Sequence, residues 1–588
     1  MNLRKLSILA IIFILLGAYF YFYEVRAGRE KKEAEEKAKK VIAFKPEDVE
    51  ELRLTVEGKT TLFRKEKDEW LIKEPFHAKG DSDSIGMALA SLERAAIERT
   101  VDDKASSLTD YGLDKPSMEI TVKEKDNPPL ETILLGGKNP TEYYVYVKRE
   151  NSPAVMLTHS GLKDQLNKEI YYYRDKTILP LNVDAIKGLY LKYQAKGVDL
   201  RLDDKKDWQI IKPIKAKADG GVIRRLLYSI KNSKVKEFVE ENPGDLQKYG
   251  LGSPEMEVTF LTDKRPPLKS LLIGDRVKAD GDFYAKWNDA ENVFLLPGSS
   301  LRDYPRTLFN LRDKKVLDFE KDKILRVELK YPHEQIVIEN EGGDRWKITK
   351  PVSVKADEFE VSDLLWALLD MEAKGFVTDE AVDLQVYNLQ KPAVEVNLWQ
   401  KGEGKPLRLA ISQKGDEKKN LYAKTSTKET IYQLDPSVLK DLTKTPFSLR
   451  DKSLLIFKNE EVGKVQLTYP DKTFILKLGP GDWKAIEPEK AILNKVEVIS
   501  FLWDIRLLKF KEIVSERMKE SPSVYGFDKS EAEIALWNNK DNKIGSIIIG
   551  KKMPDKDLLY AKVDFAPTVY GIDTEFLEKL PYSINDFK

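Results

Sequence analysis

The sequence predicts an α+β fold. It reads as four tandem repeats of about 138 residues, each a mostly antiparallel sheet packed with one long and one short helix, behind an N-terminal transmembrane helix. Three observations predict this. "YGLDKP" (Tyr111–Pro116) returns as "YGLGSP" from Tyr249, "YNLQKP" from Tyr387 and "YGFDKS" from Tyr525, with the tyrosines 138 residues apart each time. "WLIKEP" from Trp70, "WQIIKP" from Trp208, "WKITKP" from Trp346 and "WKAIEP" from Trp483 recur at spacings of 138, 138 and 137. An uncharged apolar run spans Leu6 to Tyr23, and its 18 residues extend roughly 27 Å as a helix, about the thickness of a hydrocarbon core.

The repeat holds at further landmarks. A tyrosine stands at Tyr146, Tyr284, Tyr422 and Tyr560, and the pairs Val155-Met156, Val293-Phe294, Ile431-Tyr432 and Val569-Tyr570 keep the same interval. A 588-residue chain is too long for one core, and the unit is too long for a solenoid repeat. The reading is therefore an anchor at 1–28, a charged helical linker at 29–42, and repeats at 43–180, 181–318, 319–456 and 457–588.

Within repeat 1, "VEELRLTV" and "TTLFRKE" alternate apolar and polar residues, and "WLIKEP" makes a third strand. Asp81 and Ser82 then cap a helix over "SIGMALASLERAAIE", with Ile85, Ala88, Leu89, Leu92 and Ala96 on its apolar face. After the turn come strands "SMEITVKE", "LETILLG", "YYVYVKRE" and "AVMLT", and the short helix "SGLKDQLN" ends the unit. That gives seven strands per repeat, with the long helix on one face of the sheet.

At the N-terminus, Arg4 and Lys5 precede the apolar run, and Tyr19 to Tyr23 close it as an aromatic belt. Its length favours an uncleaved anchor over a signal peptide, whose apolar stretch is about 7–15 residues. A bare count of flanking Lys and Arg points the bulk of the chain to the cytoplasm. The export-like form of the run points it outward, and the outer face is the reading taken here.

The repeated residues read first as structure. Gly112, Gly250, Asn388 and Gly526 follow the tyrosines Tyr111, Tyr249, Tyr387 and Tyr525. Gly and Asn share a tolerance of positive φ, so a left-handed position is expected there, not a requirement for a bare Cα. The tyrosine is expected beneath the turn with its hydroxyl on the backbone. Trp70, Trp208, Trp346 and Trp483 are expected as core anchors. "YRDK" and two "LRDK" segments place Arg174-Asp175, Arg312-Asp313 and Arg450-Asp451 at the ends of the first three repeats, where the arginines are expected to serve the inter-repeat junction.

Charge and composition exclude several classes. With 99 Lys+Arg against 98 Asp+Glu, the chain lacks the basic excess of a nucleic-acid binder. With no cysteine, it has no disulfides, thiolate nucleophiles or cysteine-held metals. His77, His159 and His333 fall at unlike places in the repeat, and no phosphate-loop, dinucleotide or nucleophile-elbow motif occurs. No catalytic, cofactor-binding or metal residue is therefore nominated, and no enzyme activity is expected.

In combination, the Trp strand, the "YGL..P" turn, the following "L..G", "YAK", "VY.L" and "LRDK" resemble a bacterial family of domains of unknown function, number 4340. The resemblance covers about Ala43 to the C-terminus. It implies one membrane anchor, tandem domains, and an accessory role beside an ABC-2-type permease, its ATPase and a gliding-motility-type auxiliary subunit, on the outer side of the inner membrane. It defines no catalytic or binding residues. Two departures stand out: Ser412 where the other copies have Gly136, Gly274 and Gly550, and Ser530 in place of proline. The expected function is a non-enzymatic envelope scaffold. The alternative is a periplasmic binding protein for an envelope polymer, glycan or peptidoglycan, which would display tryptophans on repeated faces.

Overall fold

The computed structural model describes residues 12–14, 16–17, 19, 21, 35–125, 128, 132–262, 269–277, 281–412 and 421–588. Most of the anchor expected at Leu6–Tyr23, and residues 29–34 of the expected linker, lie outside the described residues; among those described, no helix is long and apolar enough to cross a membrane. The chain divides into two compact units, Met1–Asp313 and Lys314–Lys588, each holding two repeats.

Repeat 1 is a nine-stranded antiparallel sheet. Its strands are β1 (Val49–Val56), β2 (Lys59–Glu66), β3 (Glu69–Glu74), β4 (Ala78–Lys79), β5 (Arg99–Asp102), β6 (Met118–Glu124), β7 (Ile133–Lys138), β8 (Tyr144–Arg149) and β9 (Val155–His159). Their order is β4-β3-β2-β1-β6-β7-β8-β9-β5, and the other three repeats reproduce it strand for strand. The central pair β1–β6 joins two meanders, with register Leu52↔Val122 and Leu54↔Ile120. Glu57 and Gly58 turn β1 into β2 with φ of 49° and 74°, the two positive values a two-residue hairpin of matching twist requires.

Nine strands, not seven, build each sheet. The two that pattern reading misses are the edges, β4 with two residues and β5 with four, of which Arg99, Thr100 and Val101 are exposed. A strand with no buried face carries no alternation to read. Edges this short also offer little template for pairing with another sheet.

The long helix of repeat 1 runs Ser82–Arg94, capped by the Asp81 carboxylate accepting from Ser84 N at 2.8 Å. Ile85, Ala88, Leu89 and Leu92 are buried with Leu52, Phe63, Ile72, Met118 and Ile120 from the sheet, each large side chain contributing about 1.5–3 kcal/mol. Ala96 is not part of this face. The helix stops at Arg94, and Ala96 instead bridges to Lys40. The equivalent long helices span Gly220–Asn232, Glu358–Leu369 and Lys495–Leu507, again each over its own core.

Each core opens with a buried apolar pair ahead of the first strand: Val41-Ile42, Ile178-Leu179, Val316-Leu317 and Leu454-Leu455. The repeats therefore take in residues a few positions before the sequence boundaries, and Val41 and Ile42 belong to repeat 1, not to the linker. Each repeat is closed by its own last residues. The N-cap amides of Asp81, Asp219, Asp357 and Asn494 donate to the carbonyls of Tyr173, Leu311, Leu449 and Phe587 at 2.8, 2.8, 2.8 and 2.7 Å.

Candidate functional site

The repeated turn is a single helical turn laid on strand β7 and its equivalents. Short helices Thr109–Tyr111, Gln247–Tyr249, Leu384–Tyr387 and Pro522–Tyr525 end on Gly112, Gly250, Asn388 and Gly526, whose φ values are 61°, 66°, 57° and 79°. The left-handed expectation holds at all four. Each tyrosine packs against the second repeated tyrosine: Tyr111 on Tyr146, Tyr249 on Tyr284, Tyr387 on Tyr422 and Tyr525 on Tyr560, with centroids 4.9–5.2 Å apart. The two tyrosine landmarks are thus one aromatic contact, worth about 0.5–1.5 kcal/mol beyond burial.

Two details differ from the sequence reading. The Tyr249 hydroxyl donates to the Glu240 carboxylate at 2.5 Å, not to the backbone, and Lys248 meets the same carboxylate at 2.7 Å. The bond to Glu240 raises the Tyr249 hydroxyl above its ordinary value, while Lys248 and then Tyr249 hold Glu240 below the usual carboxylate range. The bare Cα also matters in three copies. A Cβ on Gly112, Gly250 or Gly526 would lie 3.0, 2.7 or 2.6 Å from the backbone nitrogen of Gly137, Asp275 or Lys551. A Cβ on Gly136, Gly274 or Gly550 would lie 2.3, 2.0 or 2.1 Å from the tyrosine carbonyl of the same turn. Only repeat 3 carries side chains at both places, Asn388 and Ser412. There Ser412 Oγ accepts from Tyr422 N at 2.9 Å. Asn388 and Ser412 are therefore one paired change.

Of the strand tryptophans, Trp70, Trp346 and Trp483 are buried at 6, 6 and 3 % exposure, and Trp208 is half-buried against the core of repeat 2.

The Arg-Asp segments run beside the fourth strand of their repeat. Arg174, Arg312 and Arg450 bridge Gly80, Ala218 and Ala356, and Asp175, Asp313 and Asp451 donate their amides to the carbonyls of Lys79, Lys217 and Lys355. At the first junction Arg174 is 6 % exposed and reaches into repeat 2. Its guanidinium lies 3.5 Å over the Phe238 ring and forms a two-pronged pair with Glu241, Nη2 to Oε2 at 3.0 Å. Tyr171 donates to Val235 O at 2.8 Å, and Thr177 bridges Lys234. Between repeats 3 and 4 the same place is held differently. Arg450 lies 5.4 Å over Phe510, Phe447 packs edge-on to Phe510 at 6.0 Å, and Lys509 pairs at 2.7 Å with Asp357, the N-cap of the long helix in repeat 3. Burial works against the charged Asp451, but the Ser453 amide and the Lys355 ammonium outweigh it and hold the carboxyl below its usual range.

The model of the family described as "Domain of unknown function (DUF4340)" matches four times, at residues 70–207, 208–345, 346–490 and 483–588. The chain belongs to the DUF4340 family. Each match begins at a repeated tryptophan, in the third strand of a sheet. The first three matches thus run from the third strand of one sheet into the opening strands of the next. No curated protein matches the chain. Solved structures that align with it include the DNA polymerase sliding clamp from Pseudomonas aeruginosa with ligand, at 8 % identity over 68 % of this chain and 93 % of that one, TM-score 0.09. The DNA polymerase III subunit beta of the same organism aligns at 10 % identity over 66 and 93 %, TM-score 0.10. At those TM-scores the likeness carries no argument.

The DUF4340 repeats bring the repeated residues together at turns and junctions. Among the described residues, no group of three or more His, Asp or Glu is placed to hold a metal ion. His159 Nδ1 accepts from Gly161 N at 3.1 Å within its own turn. Sequence reading missed the receptor of Arg174. Its signal was available: acids recur at Asp103, Glu241 and Asp379, 138 residues apart.

Proposed function

We propose that this DUF4340 protein is a non-enzymatic, single-pass protein of the bacterial inner membrane. Leu6–Tyr23 would anchor it, with the repeats on the periplasmic side as an accessory subunit or scaffold of an ABC-2-type, gliding-motility-like transport system. The observation that carries this reading is the first junction. Arg174, buried between Phe238 and the Glu241 carboxylate, fastens repeat 1 to repeat 2. A guanidinium both stacked and paired in this way fixes distance and orientation together. A scaffold needs that property, and a flexible string of domains lacks it. The mechanism is positional: the anchor sets the height of the first repeat and the first junction sets the offset of the second. Crosslinking in native membranes followed by tagged capture tests this. Recovery of a permease and an ATPase, lost when a cleavable signal replaces the anchor, supports it. Recovery of the protein alone sinks it.

A second reading has its own observation. Trp366 and Trp503 occupy equivalent positions on the outer faces of the long helices of repeats 3 and 4, at 46 and 44 % exposure. Exposed aromatics at a repeated position suit stacking on a glycan or peptidoglycan. Retention on envelope polymer that is lost in a Trp366→Ala/Trp503→Ala variant would favour it.

A further inference from the structure

Repeat 2 differs from the other repeats where its last segment meets the sheet. An open slot of about 430 Å³ lies between the hairpin end around Tyr193 and Val198 and the segment Pro305–Leu311, with Pro213 and Leu308 completing its apolar walls. Arg306 stands on its rim. The same side chain borders a second cavity of about 490 Å³, where Arg276 and Arg302 join it.

The other repeats show what is unusual here. The position of Tyr193 is Tyr331 in repeat 3 and Tyr469 in repeat 4. Those hydroxyls donate to Leu442 O at 2.7 Å and Pro581 O at 2.9 Å, tying the last segment down. In repeat 4 the position of Arg306 is Tyr582. Its ring packs edge-on to Tyr469 at 5.3 Å, with the Lys472 ammonium above it, so protein fills the place. In repeat 2 a different residue, Tyr304, takes the backbone carbonyls, donating to Lys192 O and to Glu257 O at 2.9 Å. Tyr193 is left to line the slot.

Arg276 stands where the other repeats have lysine, but Arg306 and Arg302 set this repeat apart in their surroundings. Lys444, which replaces Arg306 in repeat 3, pairs with Glu360, and the position of Glu360 in repeat 2 is Val222. Arg302 stands where the other repeats have Asp164, Lys440 and Glu578. Asp282, the acid lining the cleft, is already taken by Lys236 at 2.6 Å and by the Gly298 amide at 3.0 Å. Among the described residues, no carboxylate pairs with Arg276, Arg302 or Arg306.

We propose that repeat 2 binds an amphipathic anion, with its apolar chain in the slot and its phosphate or carboxylate headgroup on Arg276, Arg302 and Arg306. The planar guanidinium fork matches either oxyanion, and an apolar cavity of this size takes part of an acyl chain. Arg306 touches both spaces, so chain and charge are read together: a neutral chain forgoes the arginines, and a bare phosphate forgoes the slot.

Photolabelling tests this on the full-length protein in phosphatidylcholine nanodiscs, with a diazirine-bearing palmitate as probe and mapping of the labelled peptides. Label is expected in the peptides holding Leu191–Val198 or Pro305–Leu311. It should fall at least about tenfold in Arg302→Gln/Arg306→Gln, whose exposed positions leave the fold intact, and equally in Arg306→Tyr, which installs the residue of repeat 4. Unlabelled palmitate should compete and hexadecanol should not. Competition by lysophosphatidylglycerol as well would identify a phospholipid headgroup as a source, whereas competition by palmitate alone would identify a free fatty acid. Label confined to the N-terminal segment, indifferent to these variants, or displaced equally by hexadecanol or by inorganic phosphate alone would overturn the proposal.

Discussion

Gly250 and Gly274 face each other across the turn of repeat 2, and changing either should cost more than changing the second after the first. A Cβ on Gly274 would sit 2.0 Å from Tyr249 O, far inside contact distance, and one on Gly250 would sit 2.7 Å from Asp275 N. The Asp275 carboxylate, 2.3 Å from a Cβ on Gly250, can swing aside, but the Tyr249 carbonyl and the Asp275 nitrogen are backbone, so the turn must lift off the strand. Overpacking of this kind costs about 1–3 kcal/mol. With the larger intrusion, Gly274→Ser should cost about 3 kcal/mol and Gly250→Asn about 2 kcal/mol. Both changes demand the same displacement, and repeat 3 accommodates Asn388 together with Ser412. The double variant should therefore cost about 3 kcal/mol, a coupling of about 2 kcal/mol, within the range seen for contacting residues. Native-state hydrogen exchange of the amides of Leu246–Leu251 and of the strand Lys269–Arg276 reads this locally, without requiring four domains to melt as one. Strict additivity, or a Gly250→Asn variant as stable as the parent, would refute the reasoning.

Other outcomes follow from the junctions and faces. Arg174→Ala should destabilise the join between repeats 1 and 2 by about 2–4 kcal/mol, since it strands Glu241 and empties the face of Phe238, and limited proteolysis should then cut between the repeats. Glu241→Gln, which keeps the stacking, should cost about half as much. The depressed carboxyl of Asp451 adds stability that is complete above the unfolded-state pKa of about 4 and is lost as pH falls through the lower folded value. Acid melts should therefore lose part of their slope in Asp451→Asn. Trp366→Ala and Trp503→Ala, on exposed helix faces, should change stability by less than about 1 kcal/mol, as urea titration would show.

The repeat made much of this legible. Because the chain states its fold four times, β1 and β2 could be placed from alternation, and Asp81 read correctly as a cap. What failed to show were features with no periodicity. β5 has no buried face, and β4 has only two residues. The need for a bare Cα at Gly250 comes from a strand 25 residues later, at Asp275. Asn388 alone hid it, because its companion change at Ser412 lies across the same gap. The cleft of repeat 2 was obscured for the opposite reason. Averaging four copies draws the eye to what they share, and Arg302, Arg306 and Tyr304 matter by departing from it.

The clasp from each N-cap amide to the last residues of its own repeat bears on how such a chain is made. Similar sheets in tandem risk exchanging strands with their neighbours while they emerge. The amide of Asp81 must wait for Tyr173, and that of Asp219 for Leu311, so a repeat is sealed only when its whole length has appeared. The sealing residue comes just before the apolar pair, Ile178-Leu179 or Val316-Leu317, that opens the next core. Synthesis or export from the N-terminus thus meets the repeats one at a time: each locks as its successor starts, and no two unfinished sheets need be present together.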